Sequence, residues 1–217
     1  MKANQDLKKG KFFITTFIIT FAGFIWLTFC VKAHLNFIST VDSYEHFMMT
    51  HFTSINPATV NFLSNIGSPV VGIVLITLVA LNLCYRKDYL DAFLCETSAI
   101  LGNILAEILK ITIARPRPSY RLYADSSFSF PSGHVFDTTL LVLVLVTFIV
   151  PRIKNDTYQV ISTVLLIIWN GFIIFSRVFL GEHYFTDTLG SILLAIALWT
   201  LTLFLKNDYL NRKNEIQ

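Results

Sequence analysis

Six long apolar runs alternate with short charged clusters along this 217-residue chain. The runs cover about Phe12–Val31, Pro69–Tyr85, Ala92–Leu109, Val135–Val150, Val160–Phe175 and Thr188–Leu205. A run of roughly 20 apolar residues crosses a bilayer as a helix, and six such runs use roughly 120 residues. What remains suffices for short loops, tails and one longer connection. The expected fold is an all-α, six-span transmembrane helix bundle that forms a single domain over residues 1–217. Composition agrees: 54% of residues are hydrophobic and 14% charged, where a soluble domain carries about 25% charged residues. The first run follows a lysine-containing tail but exceeds the ~7–15 residues of a signal-peptide core. It lacks a small-x-small cleavage site, and Phe29 stands where a lipoprotein site needs a small residue. It is expected to stay as the first span. Residues 32–68 are mixed. Leu35, Ile38, Val41, Tyr44 and Met48 recur at helical spacing, with Asp42 and Glu45 off that face. A helix lying in the outer interface and a packed outer loop both fit this pattern.

Charge sets the expected orientation. With the N-terminus inside, Lys2, Lys8, Lys9, Lys11, Arg86, Lys87, Arg152, Lys154, Lys206, Arg212 and Lys213 lie on the inner side. Lys32, Lys110, Arg115, Arg117, Arg121 and Arg177 lie outside. The positive-inside rule therefore puts both termini in the cytoplasm. The outer cations then need another partner, and an anion such as phosphate supplies one. There is no basic run of the kind that tracks nucleic acid, and a nucleic-acid partner is not expected. Cys30, Cys84 and Cys95 have no metal-ligand spacing and read as small buried thiols.

Chemistry concentrates in three strings. The first runs from Lys110 to Pro118 and contains Arg115 and Arg117. The second is Pro131-Ser132-Gly133-His134. The third runs from Ser176 through Arg177 and His183 to Asp187. The chain crosses the membrane twice between His134 and Ser176, so all three strings are expected on the extracytoplasmic face. Pro116 and Pro118 keep Arg117 out of a helix. Arginine grips phosphate oxygens in a forked geometry, and lysine acts as a point charge. Either residue alone at a span end would read as snorkelling; Lys110, Arg117 and Arg177 together beside two histidines read as an anion site. Ser132 is placed to cap the fourth span, and the N–H groups at Gly133 face an anion at a helix N-terminus. His183 and Asp187 are four residues apart and share a helix face. Asp187 can then accept a hydrogen bond from one imidazole nitrogen and leave the other to attack phosphorus. His-x3-Asp also suits zinc, but three nearby cations would repel a dication and the rest of a ligand cluster is missing. No metal or cofactor is expected. On the third span, Glu96, Asn103, Glu107 and Lys110 line one side, and Glu107 is placed to pair with Lys110.

As a set, these strings resemble the type 2 phosphatidic acid phosphatase and vanadium haloperoxidase superfamily. Its pattern is Lys-x6-Arg-Pro, Pro-Ser-Gly-His and Ser-Arg-x5-His-x3-Asp, and every fixed position is present over residues 110–187. The resemblance implies that His183 is the nucleophile, that Asp187 orients it and that His134 protonates the leaving oxygen. It implies that Lys110, Arg117, Ser132, Gly133 and Arg177 bind the phosphate. Arg115 falls off the motif spacing and would be an outer residue, and Ser176 shapes the turn. The expected activity is hydrolysis of a membrane lipid phosphate or diphosphate through a phosphohistidine. Candidate substrates are phosphatidylglycerol phosphate, phosphatidic acid and undecaprenyl diphosphate. Two alternatives remain open at this point: phosphotransfer from the same histidine to an alcohol, and a non-catalytic transporter or scaffold. Against the second stands the absence of matched inverted repeats and broken spans.

Overall fold

Five of the six apolar runs lie within a helix in the computed structural model, which describes residues 2–51, 54–123 and 126–216, and the run Val135–Val150 outlasts its helix by two residues. Helix α1 spans Lys2–Lys32, α2 Asn36–His51, α3 Pro57–Ser64, α4 Pro69–Tyr85, α5 Tyr89–Ile113, α6 Gly133–Phe148, α7 Asp156–Phe179 and α8 Phe185–Ile216. Among the described residues there is no strand. Among the described residues, six segments are long and apolar enough to cross a membrane, with α3 and α4 together forming the second. The helices outrun the apolar runs at their polar ends because backbone hydrogen bonding continues into charged residues.

Local chemistry sets the helix starts. Asn56 Oδ1 accepts from Ala58 N at 2.9 Å ahead of Pro57. Ser68 stands before Pro69 and accepts from Val71 N at 3.5 Å. Asn155 accepts from Tyr158 N at 3.2 Å. Each satisfies an amide that the first helical turn leaves unbonded. Ser132 departs from this pattern. It occupies the N-cap position of α6, yet its side chain makes no capping bond.

Helix α6 is the centre of the bundle, against α4, α5, α7 and α8, while α1 lies along α8 and α4 along α5. Of the most apolar stretch of each span, 67% is buried in α6 but only 11% in α7, so α7 is a peripheral, lipid-facing helix. Large apolar side chains such as Phe12, Ile19, Trp26, Phe29, Leu165 and Ile168 point outward. An apolar surface this extensive suits hydrocarbon rather than water.

Several polar groups inside the spans pair with one another, because hydrocarbon offers no partner. Thr77 bonds Glu96 at 3.1 Å, Asn103 donates to Asp137 at 2.7 Å, and Thr139 donates to Asn170 at 3.2 Å. Ser98 and Thr202 bond at 3.0 Å. Two cysteines, Cys30 and Cys95, are buried as expected. Cys84 is exposed instead, on the outward side of α4.

The segment after α1 is the helix α2, and its buried face differs from expectation. Ile38 and Asp42, four residues apart, are both buried, at 4% and 5% exposure. Asp42 therefore shares the inward face with Ile38 because a polar partner awaits it there, as described below. The side chains of Tyr44, Glu45 and Met48 lie outside the described residues.

The connection from α5 to α6 lies at the end of the bundle where α7 stops and α8 starts. Ala114 leaves α5 in a left-handed conformation, φ 53°, and Pro116 and Pro118 prevent helix from resuming. Ser129 N donates to Arg115 O at 2.8 Å, and Leu122 N to Leu180 O at 3.1 Å. These bonds tie the loop to itself and to the α7–α8 turn. Phe130 then enters the core with no exposed surface, seated directly over Gly190. A Cβ on Gly190 would lie 2.6 Å from the Phe130 ring. Gly190→Ala is expected to cost about 1–3 kcal/mol through overpacking. A lowered melting temperature in detergent would show it, and an unchanged one would show that the ring yields freely.

Candidate active site

The turn from α7 into α8 builds one wall. Glu182 N donates to Arg177 O at 3.0 Å and Gly181 N to Val178 O at 2.9 Å. This is a Schellman turn, which needs a left-handed residue after the helix end. Gly181 provides it at φ 66°. The Arg121 backbone and Tyr120 ring would lie 3.0 Å from a Cβ there. The turn places Arg177, Glu182 and His183 in succession around one point.

Arg117 reaches that point from the loop. Its Nε donates to Ser127 O at 2.9 Å, and its Nη2 to Ser127 Oγ at 2.7 Å. Its Nη1 donates to Glu182 O at 2.7 Å and to Glu182 Oε2 at 3.0 Å. The same nitrogen lies 3.3 Å from His183 Nε2. Arg177 Nη2 lies 3.6 Å from Glu182 Oε2.

His183 is 2% exposed, and its orientation is set from behind. Nδ1 bonds the backbone carbonyl of Ser129 at 2.7 Å. A carbonyl only accepts, so Nδ1 carries the proton and Nε2 presents its lone pair. This corrects the expected bond to Asp187, whose carboxylate lies 3.8 Å from Nδ1. Asp187 is already engaged: Ser129 Oγ and Arg115 Nη1 bond it, and Tyr184 N donates to it at 2.9 Å. It still supplies a negative charge beside the ring.

Arg115 holds Asp187 in place. It also donates to Asp42 at 2.5 Å and to Thr186 Oγ1 at 2.8 Å. Its guanidinium lies 4.1 Å from the centre of the Tyr184 ring, a cation–π contact. Burial opposes the charge of Arg115, but Asp187 and Asp42 outweigh it and hold the pKa above its usual value. Asp42 also accepts from Thr186 N at 3.1 Å and Thr186 Oγ1 at 3.0 Å. Burial raises its carboxyl pKa, against the opposing pull of Arg115 and Thr186.

The opposite wall comes from α5 and α6. Lys110, 8% exposed, donates to Glu107 at 2.6 Å, as the spacing anticipates. A Cβ on Gly133 would sit 3.5 Å from Lys110 Nζ and 3.3 Å from Pro69. The tighter of the two is Pro69, so the glycine accommodates the proline ring, while Lys110 stands in ordinary contact range of the start of α6. Among the described residues, the buried Ser132 Oγ and His134 Nε2 have no hydrogen-bond partner. His134 lies within electrostatic reach of Arg177, His183, Lys110 and Arg117. Ser176 turns inward to bond Ile173 O at 2.7 Å.

The structure thus gathers Lys110, Arg117, Ser132, Gly133, His134, Arg177, His183 and Asp187 around one end of the bundle. Sequence reasoning missed Ser129, Glu182, Thr186 and the burial of Asp42. Glu182 offered a signal, an acid directly beside His183 in a cation-rich string. Asp42 offered a weaker one, an acid in a largely apolar segment. Among the described residues no group of three or more His, Cys, Asp or Glu is arranged to hold a metal ion. Chemically, the arrangement pairs a buried imidazole lone pair with guanidinium groups that can bind and polarise an anion.

This fold is that of a membrane-embedded PAP2 protein. The PAP2 superfamily model matches residues 92–209, and the chain belongs to that superfamily. It is 32% identical to phosphatidylglycerophosphatase B of Bacillus subtilis (strain 168) over 124 residues, 54% of this chain and 58% of that protein. The match thus spans less than two thirds of that relative's length. The crystal structure of the first transmembrane PAP2 type phosphatidylglycerolphosphate phosphatase from Bacillus subtilis shares the fold, with a TM-score of 0.75 at 24% identity. That likeness covers 89% of this chain and 96% of the other. The protein is a multi-pass membrane protein.

Burial pushes the His183 pKa down to about 4, against Asp187, with Arg117 and Arg177 adding to the fall. The ring is therefore neutral at pH 7, the form a nucleophile needs. An unfolded histidine titrates near ~6.5, so protons bind the unfolded chain first as pH falls below that value. His183 is without cost above ~6.5 and destabilises progressively between ~6.5 and about 4. His183→Gln is expected to lose about 2–3 kcal/mol less stability than wild type between about pH 7 and about pH 4.5. Parallel melting curves at the two pH values would show it, and equal losses would contradict a buried, neutral ring.

Proposed function

We propose that this chain hydrolyses a lipid phosphate at the outer membrane interface through a phosphohistidine. The observation that carries the proposal is the geometry at His183. Ser129 holds the Nδ1 proton at 2.7 Å, and Nε2 faces Arg117 at 3.3 Å. In the first step Nε2 attacks phosphorus, and the bond from phosphorus to the leaving oxygen breaks. His134 donates a proton to that oxygen. Lys110, Arg117, Arg177, Ser132 Oγ and the Gly133 N–H stabilise charge in the transition state. Asp187 stabilises the charge that develops on the His183 ring. In the second step water attacks the phosphohistidine, His134 takes its proton, and inorganic phosphate leaves with His183 restored. Every catalytic group that the scheme assigns is a side chain or amide of the chain itself.

The site lies at a membrane interface, which favours a substrate anchored by its tails with the headgroup entering the bundle end. The sequence match and the structural match are each named for phosphatidylglycerophosphate and come from the same organism, Bacillus subtilis, which makes phosphatidylglycerol phosphate the first substrate to test. Phosphatidic acid and undecaprenyl diphosphate carry the same terminal phosphate. The charge distribution supports cytoplasmic termini and an outward-facing site. Purified wild type in detergent with EDTA is expected to release phosphate from at least one of these lipids, and His183→Ala to fall to background. Undiminished release by a folded His183→Ala would refute the nucleophile, and a requirement for added metal would refute the metal-free scheme.

A further inference from the structure

Glu182 is a carboxylate where the proposed reaction needs an anion site. It is 4% exposed. One of its oxygens accepts from Arg117 at 3.0 Å and lies 3.6 Å from Arg177. Both arginines belong to the set proposed to bind phosphate. The carboxylate is not the main anchor of Arg117. Arg117 is already held by Ser127 O at 2.9 Å, Ser127 Oγ at 2.7 Å and the backbone carbonyl of Glu182 at 2.7 Å. Those three bonds fix the guanidinium plane without the Glu182 side chain.

What the side chain adds is a negative charge and occupation of a donor. Arg117 Nη1 has two hydrogens, and Glu182 accepts both, one through its backbone and one through its carboxylate. The same nitrogen is the one nearest the proposed nucleophile, at 3.3 Å from His183 Nε2. A phosphate in line with Nε2 therefore meets Glu182 at the same donor. Lys110 is likewise paired, with Glu107 at 2.6 Å. Each cation of the proposed phosphate-binding set thus has a carboxylate within ion-pair reach.

We propose that Glu182 is an internal competitor of phosphate: its carboxylate contends for Arg117 and Arg177, weakens retention of inorganic phosphate and so promotes product release. This rests on the phosphatase reading above. A pocket built to capture phosphate with three unopposed cations would hold its product as firmly as its substrate. The lipid substrate has a second source of binding in its tails, which inorganic phosphate lacks. A fixed repulsion at the phosphate therefore discriminates against the product.

The test is inhibition of lipid-phosphate hydrolysis by inorganic phosphate, in wild type, Glu182→Gln and Glu182→Ala. The backbone carbonyl that holds Arg117 is retained in both variants. Removal of a like charge at contact range strengthens anion binding by an order of magnitude or more. Both variants are expected to show a phosphate Ki at least ~10-fold lower than wild type, with a lower kcat as release slows. An unchanged or higher Ki would overturn the proposal and leave Glu182 an orienting residue. For a variant too slow to assay, the phosphate-dependent rise in melting temperature gives the same comparison. A larger rise than in wild type supports competition, and an equal or smaller rise overturns it. Failure of wild type to hydrolyse any lipid phosphate would instead refute the phosphatase reading, and is read separately.

Discussion

The site depends on a single hydrogen bond, from His183 Nδ1 to the backbone carbonyl of Ser129 at 2.7 Å. A carbonyl cannot donate, so this bond selects one tautomer and aims the lone pair of Nε2 away from the core. It holds only if the loop between α5 and α6 is itself fixed. Ser129 is anchored on three sides: its amide bonds Arg115 O, its hydroxyl bonds Asp187, and Phe130 beside it fills the space over Gly190. The motif loop, the α7–α8 turn and the start of α8 are thereby one rigid unit rather than three loops that happen to meet.

Burial forces that unit to neutralise itself. Charged groups removed from water are costly unless paired. Here Arg115 stands between Asp42 and Asp187, and Glu182 between Arg117 and Arg177. The two clusters flank the His183 ring with opposite character. Carboxylates gather behind Nδ1, and guanidinium groups gather near Nε2. A charge gradient across one imidazole is what nucleophilic attack on a phosphate monoester requires: an anion in front and a developing cation stabilised behind. The first cluster also ties α2 to the site, since Asp42 is the α2 residue that grips Arg115 and Thr186.

The spans and the convergence of the three strings were legible in the sequence, because both follow from one-dimensional rules. Apolar length reports a crossing, and an even number of crossings returns the chain to the same face. Lys110, His134 and Arg177 could be read because their spacing places them at helix ends, and Arg117 and His183 because they stand in the short polar strings next to those ends. The pairing of Glu107 with Lys110 could be read for the same reason, as it lies within one helix. What could not be read were contacts made across the fold. Ser129 acts chiefly through its backbone carbonyl, which carries no side-chain signature. Asp42 is 73 residues from Arg115, so its burial depends on a partner that local periodicity cannot register. The expected bond from His183 to Asp187 rested on helical spacing. His183 instead lies in the turn before α8, where its Nδ1 faces the loop.

The central claim, that His183 attacks through Nε2, is tested most directly by trapping the phosphoenzyme. The measurement is an alkaline quench of wild type during turnover of a lipid labelled in its terminal phosphate, followed by mass spectrometry of the labelled peptide. The account predicts phosphate on His183, bonded at Nε2, because Nδ1 is held by Ser129. Phosphate on Nδ1, on another residue, or on none during demonstrated turnover would contradict it.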